Sequence, residues 1–220
     1  MERKIEFSTD EYYHVYNRGA DKRIIFTNNG DRDRFLKLLF LCNGTEAIRM
    51  NRTGRGFPLA NEVNRGNRLV SIGAYTLMPN HFHLLLKELD EGGISRFMLK
   101  LTTAYSMYFN KKYEHSGVLF QGAFKAEHID NDRYLEYIFS YIHLNIIKLI
   151  QPDWKERGIL DINGAQKNLT TYPYSSYVDY LGSNRKEGAI LNKEDFQEYH
   201  KTGEEMNADL LDWLSYSKDQ

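Results

Sequence analysis

The chain has 220 residues, 41% of them hydrophobic and 27% charged, with a formal net charge of −1. That balance excludes wholesale disorder, no apolar run reaches the roughly 18 residues that cross a bilayer, and the opening MERKIEFSTDEYY has no apolar stretch of signal-peptide length. A single cysteine, Cys42, excludes an internal disulfide framework and a multi-cysteine zinc site, so the expectation is a cytoplasmic protein held by a hydrophobic core.

Tyr12–Arg18 (YYHVYNR) is aromatic, β-branched and closed by Gly19, which predicts a strand. After the turn-rich TNNG, residues 31–41 place Phe35, Leu38 and Leu39 at helical spacing. Residues 43–67 are rich in Gly, Asn and Arg and predict a long loop or insertion. Residues 69–77 and 82–88 read as two strands joined around Met78-Pro79-Asn80. From 94 to 112, Ile94, Phe97, Met98, Leu101, Tyr105 and Tyr108 recur at helical steps. Residues 118–129 suggest an extended hairpin region, and 132–150 a second long helix capped by Asp130 or Asp132. This order predicts an α+β domain over residues 8–150, an antiparallel sheet with helices packed on one face. A helical C-terminal appendage, residues 151–220, follows and is acidic at its end.

The near-zero net charge hides an asymmetry. Residues 186–220 carry a net −5 and the first 185 residues a net +4. Arg49, Arg52, Arg55, Arg65 and Arg68 stand in one stretch against Glu62 alone. A polyanion partner and a solvated basic loop both fit that pattern.

The sharpest motif is MPNHFHLLL, residues 78–86. Strand alternation sends His81 and His83 to one face and Phe82 to the other, so two neutral imidazoles can share one divalent ion. In YLEYIFSYIHLNIIK, residues 134–148, Tyr141 and Asn145 are four apart and share a helix face. A phenol beside an amide oxygen can offer a nucleophile and a third ligand to such an ion. The same residues are also compatible with half-buried strand histidines and a tyrosine-rich core helix, and spacing alone does not bring strand and helix together.

A resemblance does. MPNHFHLLL, then LTTAYSMYFN, SGVLFQGAFKA and YLEYIFSYIHLN, resembles the one-tyrosine HUH (IS200-like) transposases, and within them the REP-associated tyrosine transposase branch. YHVYNRG at Tyr13 to Gly19 and YPYSSYVDY at Tyr172 to Tyr180 resemble that branch too. The likeness runs in order from about residue 12 to about 181. It implies a ferredoxin-like sheet that cleaves and rejoins single-stranded DNA beside an imperfect hairpin, with Mg²⁺ or Mn²⁺ and no ATP. Position by position it implies His81 and His83 as metal ligands, Asn145 as the polar residue completing the site, and Tyr141 as the nucleophile of a 5′-phosphotyrosine link. Monomer and homodimer are both found among such relatives. A hairpin-DNA-binding protein without mobility, and a site-specific nickase of the same chemistry, are the alternatives.

Two departures stand out: Ile146 and Ile147 follow Asn145 where relatives commonly read Pro-Val, and Ala123 stands where an arginine is common. Around the core motifs, Arg18, Arg49, Arg52, Arg55, Lys125 and Lys148 are candidate phosphate contacts and Gln121 a candidate base contact. Phe120, Phe124 and Tyr113 offer stacking surfaces as well as packing. Tyr105 and Tyr108 read as core, and Tyr137 as the nearest rival to Tyr141.

Overall fold

The computed structural model describes residues 5–47, 56–58 and 62–199. Four strands, β1 (Tyr12–Arg18), β2 (Val70–Met78), β3 (His81–Glu88) and β4 (Lys125–Ile129), form one antiparallel sheet in the order β2-β3-β1-β4. Helices α1 (Asn29–Cys42) and α2 (Gly93–Lys112) connect them in the βαββαβ order of a ferredoxin-like domain. Side-chain alternation points Phe82 towards these two helices. Its ring lies 4.9 Å from Phe35 of α1, which in turn meets Tyr105 of α2 at 5.0 Å.

The start of α1 is fixed by a reciprocal cap. Asn28 Oδ1 accepts from the Asp31 backbone N–H at 3.2 Å, and Asp31 Oδ2 accepts from the Asn28 N–H at 3.3 Å. The buried Asp31 carboxylate also accepts from Lys112 Nζ at 2.6 Å, Tyr113 at 2.7 Å and Tyr108 at 2.9 Å, tying α1 to the end of α2. Burial alone would raise its pKa, but the Lys112 ammonium and these hydroxyls outweigh burial and lower it.

Three expectations need correcting. Helix α3 (Asp132–Leu144) lies over the opposite face of the sheet, so one-sided packing holds for α1 and α2 only; its rings meet His83 and His14 rather than Phe82. Its cap is Asn131, whose Oδ1 accepts from the Tyr134 N–H at 2.8 Å, and it tightens into a 3₁₀ turn at Asn145–Leu149 instead of continuing as α-helix. Residues 118–129 form no hairpin: one strand, β4, is preceded by a segment touching β1 through a single Gly19–Phe120 bridge.

Beyond α3 follow α4 (Trp154–Arg157), α5 (Ile162–Thr171) and α6 (Tyr177–Tyr180), then short 3₁₀ turns. This region covers the free edge of β2, which would otherwise expose unpaired backbone groups. The Leu77 N–H donates to Tyr174 O at 2.9 Å, the Ser176 N–H to Tyr75 O at 3.0 Å and the Asn192 N–H to Ile72 O at 3.0 Å. Phe196 packs against Gly73 so closely that a Cβ there would lie 2.7 Å from its ring. The anchor of this edge is Arg185, which donates to both oxygens of buried Asp179 at 2.8 and 2.6 Å and to the Tyr75 hydroxyl at 2.8 Å. The described feet of the 43–67 loop are held as well: Asn43 bonds both backbone groups of Val70, and Phe57 packs on Phe40.

Replacing Arg185 by Met leaves the Asp179 carboxylate buried without its partner, which costs about 3–5 kcal/mol; urea denaturation is expected to show a correspondingly lower midpoint. A second expectation concerns acid. His143 is enclosed, sharing a 2.7 Å hydrogen bond with Ser176 Oγ, and burial pushes its pKa from 6.5 down to about 3. The unfolded chain therefore binds a proton below pH 6.5 that the folded chain refuses until about pH 3. The stability this gives is full above the upper value and is lost as pH falls towards the lower. The denaturation midpoint is expected to drop steadily between pH 7 and pH 5, and a flat midpoint would contradict this.

Candidate active site

β3 is flanked by β2 and β1, and its register sets the site. His81 faces Arg18 and Met78, while His83 faces Tyr16 and Thr76. The alternation that buries Phe82 turns both imidazoles to the other face, where α3 lies. Leu135, Ile138, Phe139 and Ile142 bury the apolar side of α3. That leaves Tyr134, Tyr137 and Tyr141 in a row on its flank, successive rings stacked with centroids 6.0 Å apart. Tyr141 ends the row, its ring edge-on to His83 at 5.7 Å and to His14 at 5.9 Å. Strand and helix, which spacing could not join, thus meet at these residues.

Hydrogen bonds orient the groups. Asn80 Nδ2 donates to Lys22 O at 3.2 Å, which leaves its Oδ1 to accept from His81 Nδ1 at 2.6 Å. The proton is thereby assigned to Nδ1 of His81 and the lone pair to Nε2. Burial, with the nearby Lys148 and Arg18 charges, pushes the His81 pKa down to about 4. Burial, then His14 and His81, holds His83 well below its ordinary value, so both rings are neutral near pH 7. Burial raises the Tyr141 phenol above its usual range although the Asn145 amide beside it pulls the other way. Asn145 is fully buried; its Nδ2 donates to Tyr141 O at 2.8 Å and its Oδ1 accepts from Lys148 Nζ at 3.2 Å. From α4, Lys155 Nζ sits 4.1 Å from the Tyr141 ring centre.

The donor set suits a divalent ion. Two neutral imidazoles stand beside an amide oxygen that already accepts from a cation, the Lys148 ammonium, whose charge also reaches His81 and His83. Among the described residues no three His, Cys, Asp or Glu side chains converge on one point, so an amide is the third protein ligand on offer.

Residues 61–145 match the family model described as Transposase IS200 like. The chain carries an IS200-like transposase segment. His81, His83, Tyr141 and Asn145 all lie inside it. Among solved structures, the chain is similar to a REP-associated tyrosine transposase bound to a REP hairpin, at 14% identity and TM-score 0.52, covering 83% of this chain and 86% of that one. The fold is thus shared with that protein. A bacterial tRNA(His) guanylyltransferase-like protein in complex with ATP matches at 12% identity and TM-score 0.38, over 77% of this chain and 71% of that one. No curated protein matches.

Within this transposase fold, the remaining candidates fall at different places. Arg18 Nη2 donates to Gln121 Oε1 at 3.2 Å, and the Gln121 N–H to Arg18 O at 2.8 Å, so the pair borders His81 on β1. Lys125 is exposed and stands opposite Tyr16. Arg49, Arg52 and Arg55 lie outside the described residues. Arg65 and Arg68 do not belong to an open basic patch: Arg65 donates to Phe40 O at 2.7 Å with its guanidinium over the Phe40 ring, and Arg68 pairs with Glu194 and Asp195. Tyr105 and Tyr108 are engaged on the far face, bonding Ile25 O at 2.6 Å and Asp31 at 2.9 Å. Tyr113 likewise serves Asp31, and Phe120 packs on Phe82. Sequence reasoning missed His14, Glu127 and Lys155. The first two sit at alternating positions of β1 and β4, and only the strand register shows that they share the face of His83.

Proposed function

We propose that this protein is a metal-dependent transposase that cleaves and rejoins single-stranded DNA beside an imperfect hairpin, with Tyr141 as nucleophile. One observation carries the reading: the Tyr141 phenol is packed edge-on against His83, with the Asn145 amide one turn along the same helix. The family match and the shared fold with a hairpin-bound relative support it.

In the forward step the Tyr141 oxygen attacks phosphorus, its proton passes to solvent, and a phosphorus–oxygen bond to the 3′ oxygen breaks. That oxygen takes up a proton and leaves as a free 3′ hydroxyl, while the 5′ phosphate stays on Tyr141. The phosphodiester energy is conserved in the link, so rejoining needs only attack by a 3′ hydroxyl, without ATP. A divalent ion, Mg²⁺ or Mn²⁺, held by His81, His83 and Asn145 supplies charge neutralisation at a phosphate oxygen. Stacking on Tyr137 and packing of His83 and Lys155 hold the Tyr141 ring in place. The Lys155 charge over the ring favours the phenolate that develops as the proton leaves. Arg18, Lys125 and Lys148 border the histidine face and supply phosphate contacts, and Gln121 is positioned to reach a base edge.

The test is a denaturing gel of labelled single-stranded hairpin oligonucleotides from the DNA flanking the gene, with Mn²⁺ or chelator. Wild type and Tyr137→Phe are expected to form a covalent adduct with Mn²⁺ only, and Tyr141→Phe none while still binding the hairpin. An adduct that survives Tyr141→Phe rejects the assignment, and tight binding with no adduct from wild type moves the reading to a hairpin-binding protein. Arg18→Ala and Lys125→Ala are expected to weaken binding evenly across sequences, each lowering the slope of log affinity on log salt by about 1; a sequence-selective loss would contradict a phosphate role.

A further inference from the structure

The scheme above gives no part to the groups behind His83, yet the site is tightly built there. His14 on β1 is 3% exposed, and its Nε2 shares a 2.9 Å hydrogen bond with His83 Nδ1. On its other side, His14 Nδ1 is buried and faces the Glu127 carboxylate of β4 at 3.6 Å. Glu127 also accepts from the Tyr16 hydroxyl at 3.0 Å and from the Tyr134 hydroxyl at 3.3 Å. His14 is not placed as a third metal ligand, because its Nε2 is committed to His83 and no three such side chains converge among the described residues.

A hydrogen bond between two neutral imidazoles needs one donor and one acceptor, and each neutral ring carries one proton. An ionised carboxylate only accepts, so Glu127 favours the His14 proton on Nδ1, the nitrogen that faces it. His14 Nε2 is then the acceptor, and the shared hydrogen bond requires a proton on His83 Nδ1. The lone pair of His83 is left on Nε2, the same nitrogen that the Asn80 contact leaves free on His81. Two unrelated contacts, an amide for one ring and a carboxylate–imidazole chain for the other, converge on one outcome.

We propose that Glu127 and His14 form a positioning relay that fixes the tautomer and orientation of His83, so that its Nε2 is presented to the divalent ion. This rests on the metal reading given above. Outer partners of this kind typically change metal affinity by about 10- to 100-fold when removed.

The test is calorimetric titration of the full chain with Mn²⁺, which reads affinity without catalysis. Wild type is expected to bind, and His83→Ala to lose binding. His14→Phe, which keeps a ring but offers no acceptor, is expected to bind about 10- to 100-fold more weakly. His14→Gln, whose side-chain oxygen can accept near the position of Nε2, is expected to recover most of the loss. If His14→Phe binds as wild type does while His83→Ala does not, the relay is wrong and the metal site stands. If His83→Ala binds as wild type does, both the relay and the metal reading fall. A variant that does not fold leaves a wild-type measurement: nitrogen-15 spectra of the metal-free protein should show His83 with its proton on Nδ1, and a proton on Nε2 would overturn the proposal.

Discussion

The pairing of β3 with β1 is the constraint on which everything else in this molecule hangs. A strand sends successive side chains to opposite faces, so a single register places Phe82 against Phe35 on one side of the sheet and His81 with His83 on the other. A slip of one residue would expose the phenylalanine and push both imidazoles into the apolar layer beneath α1 and α2. The buried core therefore holds the register, and the register aligns the site. Core and chemistry share one strand, which is why that strand is central and flanked on both edges.

Electrostatics follow from the same arrangement. Burial keeps His81 and His83 neutral, which is the state a metal ligand needs. Around them stand Arg18, Lys148 and Lys155, cations that favour an incoming phosphate. The acidic side chains of the C-terminal region engage elsewhere: Glu194 and Asp195 meet Arg68 near the β2 edge. A chain of net charge −1 can thus still present a locally cationic site to a polyanion.

Much of the fold was legible because its signals are periodic: the strands of β1 to β3 and the long α2 follow directly from alternation and helical spacing. The end of α3 was less so. Ile146 and Ile147, where relatives place Pro-Val, are both fully buried within the 3₁₀ turn, so the change adds core surface rather than another helical turn. The segment before β4 misread as a hairpin because its aromatic residues serve packing, with Phe120 on Phe82 and Tyr105. At the site, the histidine pair and the Tyr141–Asn145 step could be picked out from local spacing, but His14, Glu127 and Lys155 could not. Their relevance depends on contacts between segments more than 60 residues apart or, for Lys155, on how a short helix folds back over Tyr141. The basic loop misled in the opposite direction, since nothing local indicates that Arg65 turns inward onto Phe40.

The central claim is that one phenol, set by one strand register, takes the phosphate. Mass spectrometry of the protease-digested protein after incubation with Mn²⁺ and a hairpin oligonucleotide tests it most directly, because it locates the linked side chain without any substitution. The account predicts a nucleotide remnant on Tyr141. A remnant on Tyr137, or on any residue outside the histidine face of the sheet, would contradict it.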